Sequence, residues 1–75
     1  MNTLPTVDTI STGKRINDLR KRAGLSVKDI QNVLGLGSTQ SIYKWLSGQN
    51  LPTVDNLVIL AAVLHVSLDD LIVKN

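Results

Sequence analysis

The sequence predicts an all-α fold of five short helices, on three observations. Apolar residues recur at helical spacing along most of the chain, while aromatic and β-branched alternation is scarce. Glycines and Ser-x-x-Asp pairs fall where helices would stop and start. Finally, 75 residues with no cysteine can have neither a disulfide nor a thiolate metal site, so helix packing or a second subunit must supply the stability a small core lacks.

The first helix is predicted over about Thr12 to Ala23, with Ile16, Leu19 and Ala23 on one face and Gly24 at a left-handed stop. The second starts at Ser26, which has capping-box spacing to Asp29. It buries Ile30, Val33 and Leu34 and ends at Gly35. Ser38 is the expected cap of a third helix reaching about Ser47, with Ile42, Trp45 and Leu46 as its core face and Gly48 after it. The fourth begins near Thr53, just after Pro52, and runs through Leu64. Its stretch from Leu57 to Leu64 is apolar nearly all round, which predicts either a central position or burial of Val58, Ala62 or Val66 against another copy. The fifth opens with Ser67 and Asp70, again at capping-box spacing, and buries Leu68, Leu71 and Ile72.

Short connections make this an orthogonal bundle over residues 12–75, preceded by an N-terminal arm at 1–11. LPTVD occurs at 4–8 and again at 51–55. Two copies of so short a unit do not make a repeat architecture. The first copy is expected to add a helical turn that packs Val7 or Ile10 on the bundle.

Several classes are excluded by what the chain contains. The N-terminus has no basic segment followed by an apolar run, and LVILAAVLHV at 57–66 is too short to span a bilayer, so a cytoplasmic protein away from membranes is expected. With no nucleophile–base pair, metal cluster or phosphate loop, no enzyme, cofactor, metal or small-molecule ligand is expected. Asp69 and Asp70 read as first-turn carboxylates and His65 as a helix-terminal residue. Charge is uneven: Lys14, Arg15, Arg20, Lys21, Arg22, Lys28 and Lys44 face only Asp18 and Asp29 between residues 11 and 48, a net +5, while residues 49–75 carry −2. A basic front and an acidic back orient a molecule toward a polyanion.

The stretch GLGSTQSIYKWLSG, residues 35–48, gives that polyanion a reader. With Ile42 at the centre of the buried face, Trp45 and Leu46 flank it, and Gln40, Lys44 and Ser47 fall on the opposite side with Ser41 and Tyr43 at the margins. Gln can pair with adenine, Lys can reach guanine acceptors, and Ser or Thr serves either. The short Gly-containing turn before this helix has helix-turn-helix geometry. Many bundles expose Gln and Lys, so the stripe alone does not decide the matter.

GLSVKDIQNVLGL, QSIYKWLSG and LPTVDNLVILAAVLHVSLDDL together resemble the phage-repressor-like (Cro/CI, XRE-type) helix-turn-helix domain over residues 14–73. The resemblance implies a five-helix lambda-repressor-like bundle with the helix-turn-helix in helices 2 and 3. It implies sequence-specific binding to double-stranded DNA, usually as a homodimer and usually for transcriptional control, here expected as repression. Thr39, Gln40 and Lys44 match base-facing positions. Ser41 and Tyr43 match neighbours that reach bases or phosphates; Ser41 is assigned to bases and Tyr43, with Ser38, to phosphate. Ser47, Gln49 and Asn50 match a loop that lays backbone and side-chain donors on a phosphate.

There are three departures from the family pattern. Val27 stands where a phosphate-touching Gln is common, and Lys28 is expected to substitute. Leu46 stands where a Glu often pairs with an Arg of the first helix, which leaves Arg20 for a phosphate or for an aspartate elsewhere. The turn from Gly35 to Ile42 is one residue longer than the family pattern, with Gly37 as the expected extra residue, which bears on the tilt of the third helix. These departures keep open an alternative, a protein-binding antitoxin-like or adaptor module on the same fold. Because the chain stops right after the fifth helix, switching is expected from dimerisation, a partner or degradation.

Overall fold

The computed structural model describes residues 4–75 and contains five helices, α1 (Thr9–Arg22), α2 (Val27–Leu34), α3 (Gln40–Leu46), α4 (Val54–Leu64) and α5 (Leu68–Leu71). Local chemistry sets most of their starts. Ser26 and Asp29 form a reciprocal capping box at the head of α2, and Ser67 and Asp70 do the same for α5. Thr53 accepts from the Asn56 amide at the head of α4. α2 ends at Gly35 in the left-handed conformation, where glycine meets no Cβ penalty. His65 ends α4 in that same conformation (φ 58°), an uncommon but tolerated role for histidine.

The first helix differs from expectation. It begins at Thr9 rather than Thr12, because Asp8 caps it by accepting from both the amide and the hydroxyl of Ser11. The additional turn is therefore residues 9–11, while LPTVD at 4–8 is extended. Val7 and Ile10 stay exposed, and Val7 pairs antiparallel with Lys74. The Asp8 amide donates to the Val73 carbonyl at 2.8 Å and the Asn75 amide to the Thr6 carbonyl at 2.8 Å. Thr12, fully buried, locks this pairing: its hydroxyl accepts from the Val73 amide at 3.0 Å and donates to the Val73 carbonyl at 3.4 Å. Residues 6–8 and 73–75 are thus fastened to each other and to α1.

The core is Ile16, Ile30, Ile42, Trp45, Leu57, Leu60, Ala61, Leu64 and Leu71, with Leu19, Leu25, Val27, Leu34, Leu36, Leu46, Val66 and Ile72 packed around it. Full burial of Leu60 or Leu71 stabilises the fold by about 1.5–3 kcal/mol each. α1 packs against α3 and α5, and α4 against α2 and α5. Two expected core positions are corrected. Val33 is half exposed and Leu68 is 38% exposed, since each lies on the side of its helix turned away from the core cluster; the polar Gln31 is buried instead. No helix of the described residues is long and apolar enough to cross a membrane.

The acidic caps give the fold a pH dependence. Hydrogen bonds from the Ser11 amide and then its hydroxyl hold the Asp8 carboxyl below its ordinary value of 3.8, and the Ser26 amide and hydroxyl do the same for Asp29. A folded-state pKa below the unfolded one means stabilisation that is complete above the ordinary carboxylate range and lost as pH falls through the depressed values. The thermal midpoint should accordingly drop on acidification from about pH 5 to about pH 2, and Asp8→Asn should flatten part of that drop. A midpoint that falls as steeply in the variant would show that the cap is not titrating.

Candidate nucleic-acid interface

α3 lies across the bundle with Ile42 and Trp45 buried at 1% and 5% exposure, so Trp45 is a core residue with no surface for stacking. The opposite side presents Gln40, Ser41, Lys44 and Ser47, all exposed, with Tyr43 at 58% exposure beside them. The buried stripe fixes the helix, and its 3.6-residue period then sets which side chains look outward.

The structure leaves every expected residue except Thr39 exposed but changes what some of them offer. Thr39, half-buried, is the N-cap of α3, a place expected for Ser38, and its side chain makes no capping bond. The exposed Ser38 instead accepts weakly from the Gln40 amide at 3.4 Å. Ser47 donates its hydroxyl to the Lys44 carbonyl at 3.1 Å. The loop after α3 was expected to lay backbone donors on a phosphate. Here the Gln49 and Asn50 amides point back at the Lys44 carbonyl, at 2.9 and 3.5 Å, and the Ser47 and Gly48 amides at the Tyr43 and Trp45 carbonyls. These amides satisfy the orphan carbonyls of the helix end, so the loop offers only the side chains of Gln49 and Asn50, both exposed.

Lys28 is exposed in the first turn of α2. The only ion pair among the described residues is Lys74 with Asp69 at 3.4 Å, so Lys28 and Lys44 are free of carboxylate partners. Arg20 is not. Its Nε and Nη2 donate to Asn17 Oδ1 at 3.1 and 2.7 Å, and its Nη1 donates to the Leu25 carbonyl at 2.7 Å. The expectation of a phosphate or aspartate for Arg20 is thereby corrected: with Leu46 in place of a carboxylate, the guanidinium turns inward and braces the α1–α2 turn. Lys21 and Arg22 stay solvated at the end of α1, where cations suit the helix dipole.

Two supports for this surface were not anticipated. Gly13 lies where α1 crosses the end of α3: a Cβ there would stand 2.3 Å from the Trp45 carbonyl oxygen and 2.7 Å from that of Leu46. A glycine interrupting an otherwise regular helical pattern was the signal that could have revealed it. Gln31 is buried and donates from Nε2 to the Leu36 carbonyl at 3.1 Å, while its Oε1 meets no donor among the described residues. A buried unsatisfied acceptor costs about 1–3 kcal/mol. Its signal was a polar residue beside Ile30 in the arc that faces the core.

This arrangement, two helices joined by a tight turn with the second offering a polar stripe over a buried one, defines a helix-turn-helix domain. The family comparison agrees: the Helix-turn-helix family model matches residues 16–71, and the chain belongs to this XRE-type family of DNA-binding domains. Two solved structures are similar to it. One is the restriction-modification controller protein C.AhdI from Aeromonas hydrophila, at a TM-score of 0.75 and 26% identity over 85% of this chain and 96% of that one. The other is a transcriptional regulator from Listeria innocua, at a TM-score of 0.74 and 28% identity over 81% of this chain and 56% of that one. No curated protein sequence matches the chain significantly.

Proposed function

We propose that this protein is a sequence-specific DNA-binding transcriptional regulator that works as a homodimer and represses by occupying its site. The observation that carries the reading is the exposed stripe Gln40, Ser41, Lys44 on a helix whose other face is locked by Ile42 and Trp45. The controller and regulator functions of the two similar structures point the same way. In this reading α3 enters the major groove. Gln40 and Lys44 read base edges, assisted by Thr39 and Ser41. Lys28, Ser38, Tyr43, Gln49 and Asn50 hold phosphates and set the register, which carries little sequence information, while Ser47, expected among them, spends its hydroxyl proton on the Lys44 carbonyl.

The test is selection from a random DNA pool at low and moderate salt, followed by binding measurements on two variants. A pseudo-palindrome with half-sites about one helical turn apart is expected. Gln40→Ala should relax preference at one base step and cost about 1–3 kcal/mol, whereas Lys28→Ala should weaken binding to all sequences alike and reduce the salt slope by about 1. Recovery of no motif would redirect the reading to a protein-binding module on the same fold. A Gln40→Ala protein with unchanged base preference would remove the role assigned to that side chain.

A further inference from the structure

We propose that Gln31 is the positioning residue of the recognition helix: its side-chain amide, bonded to the Leu36 carbonyl, holds the lengthened turn in the shape that sets where Gln40 and Lys44 meet the bases. The inference deepens the base-reading assignment above and rests on it.

The argument begins with Leu36, which the same residue holds from both sides. Its amide donates to the Gln31 backbone carbonyl at 3.0 Å, and its carbonyl accepts from Gln31 Nε2 at 3.1 Å. Leu36 itself packs against the core. Beyond it, Gly37 and Ser38 make no backbone–backbone hydrogen bond, and the next fixed point is the Thr39 carbonyl, which accepts from the Tyr43 amide at 3.2 Å. The path into α3 therefore rests on the Gln31–Leu36 clasp. Gly37 and Ser38 lie just past that clasp, in the stretch the backbone leaves untied.

The far end of α3 is fixed differently. The Trp45 and Leu46 carbonyls press against Gly13 and Trp45 fills the core, while Ile42, two residues after Gln40, anchors the helix from its buried side. With Ile42 and Trp45 pinned, a change in the turn displaces the residues ahead of Ile42, where Gln40 sits. Gln40 lies two residues, about 3 Å along the axis, in front of that anchor. Paired hydrogen bonds to a base edge tolerate little displacement.

Filling space does not account for an amide here. Gln31 is 8% exposed and its Oε1 meets no donor among the described residues. An apolar side chain of the same length would fill that volume and remove the unmet Oε1, at the loss of the Leu36 carbonyl's donor. What the amide adds is the bond to Leu36.

Gln31→Met keeps length and approximate volume while removing the donor. The wild type, Gln31→Met and Gln40→Ala should be measured on the duplex the wild type selects and on a scrambled duplex of equal composition, together with their melting curves. Gln31→Met should stay folded, the lost bond to Leu36 being offset by removal of the unmet Oε1, and bind the scrambled duplex within about twofold. Its discrimination between the two duplexes should fall by at least about tenfold. Unchanged discrimination in a folded Gln31→Met overturns the proposal. If Gln40→Ala nevertheless shifts base preference, the base-reading assignment survives that failure. A wild type with no preferred site overturns both. Should Gln31→Met fail to fold, side-chain amide exchange in the wild type decides. The Gln31 Nε2 protons should exchange at least about tenfold slower than those of the exposed Gln40 and Gln49. Equal rates would show that the clasp does not exist.

Discussion

Gly13→Ala should destabilise the protein by about 3 kcal/mol or more, although alanine is the better helix former by about 1 kcal/mol. The reason is geometric. The new methyl would lie 2.3 Å from the Trp45 carbonyl oxygen and 2.7 Å from that of Leu46, and both are backbone atoms that no rotamer change can move aside. The pressure can be relieved only by shifting α1 off α3. That would open the contact between Ile10 and Gly48 as well, where the backbones also approach closely. A domain of this size has a total stability of about 4–11 kcal/mol, so the substitution removes a large share of it. Each kcal/mol corresponds to roughly 4–8 °C in midpoint for a small domain, so a fall of more than about 12 °C is expected in thermal melts. A rise of a few degrees would mean that helix propensity dominates and that α1 and α3 are not in close contact. The consequence reaches function, because the same carbonyls end the recognition helix. Any folded Gly13→Ala protein should also bind its selected site less well than wild type at temperatures far below its midpoint.

The parts of this architecture that were legible in the sequence are those set by neighbours in the chain. Ser26 with Asp29, Thr53 and Ser67 with Asp70 announce helix starts because a cap is a bond across three residues. The α3 stripe was legible because a buried Ile42 and Trp45 dictate what lies opposite them. The parts that were not legible depend on contacts between distant segments. Thr12 is buried because Val73, 61 residues away, returns to it, and no local pattern encodes that. Val33 and Leu68 have core spacing yet lie outside the core cluster, since periodicity names a face without saying whether anything covers it. Likewise the donors of the loop after α3 could be assigned to a phosphate only by analogy. The Lys44 carbonyl that captures two of them lies in the same turn, and only the backbone path reveals it.

If the protein works as the proposed homodimer, Val58→Asp should separate the subunits and weaken binding to a palindromic site by at least about a hundredfold. α4 is apolar nearly all round, and the bundle uses only part of it. Leu57, Leu60, Ala61 and Leu64 are buried, whereas Val54 and Val58 remain 71% and 51% exposed, with Ala62 and Ile59 also exposed. Val54, Val58 and Ala62 follow one another at four-residue spacing within an arc of about 80°, and Asp55 is the one charge beside them. A surface of this kind is costly to leave in water and suits an isologous contact about a two-fold axis. A standard interface takes about 800 Å² from each partner, roughly a sixth of this molecule's 4843 Å² surface. Val58 sits in the middle of the stripe, so a carboxylate there would be buried unpaired, and doubled by symmetry, in the dimer but solvated in the monomer. The variant should therefore keep its helical circular dichroism while light scattering reports half the mass. The DNA effect follows from linkage. With two subunits joined, the second half-site is bound at high effective concentration, and separating them forfeits that gain without touching α3. Binding to an isolated half-site should change little between the two proteins, which isolates the dimer contribution from base reading. A Val58→Asp protein that stays dimeric would place the contact on another face, and a wild type that is monomeric with and without DNA would overturn the proposed homodimer.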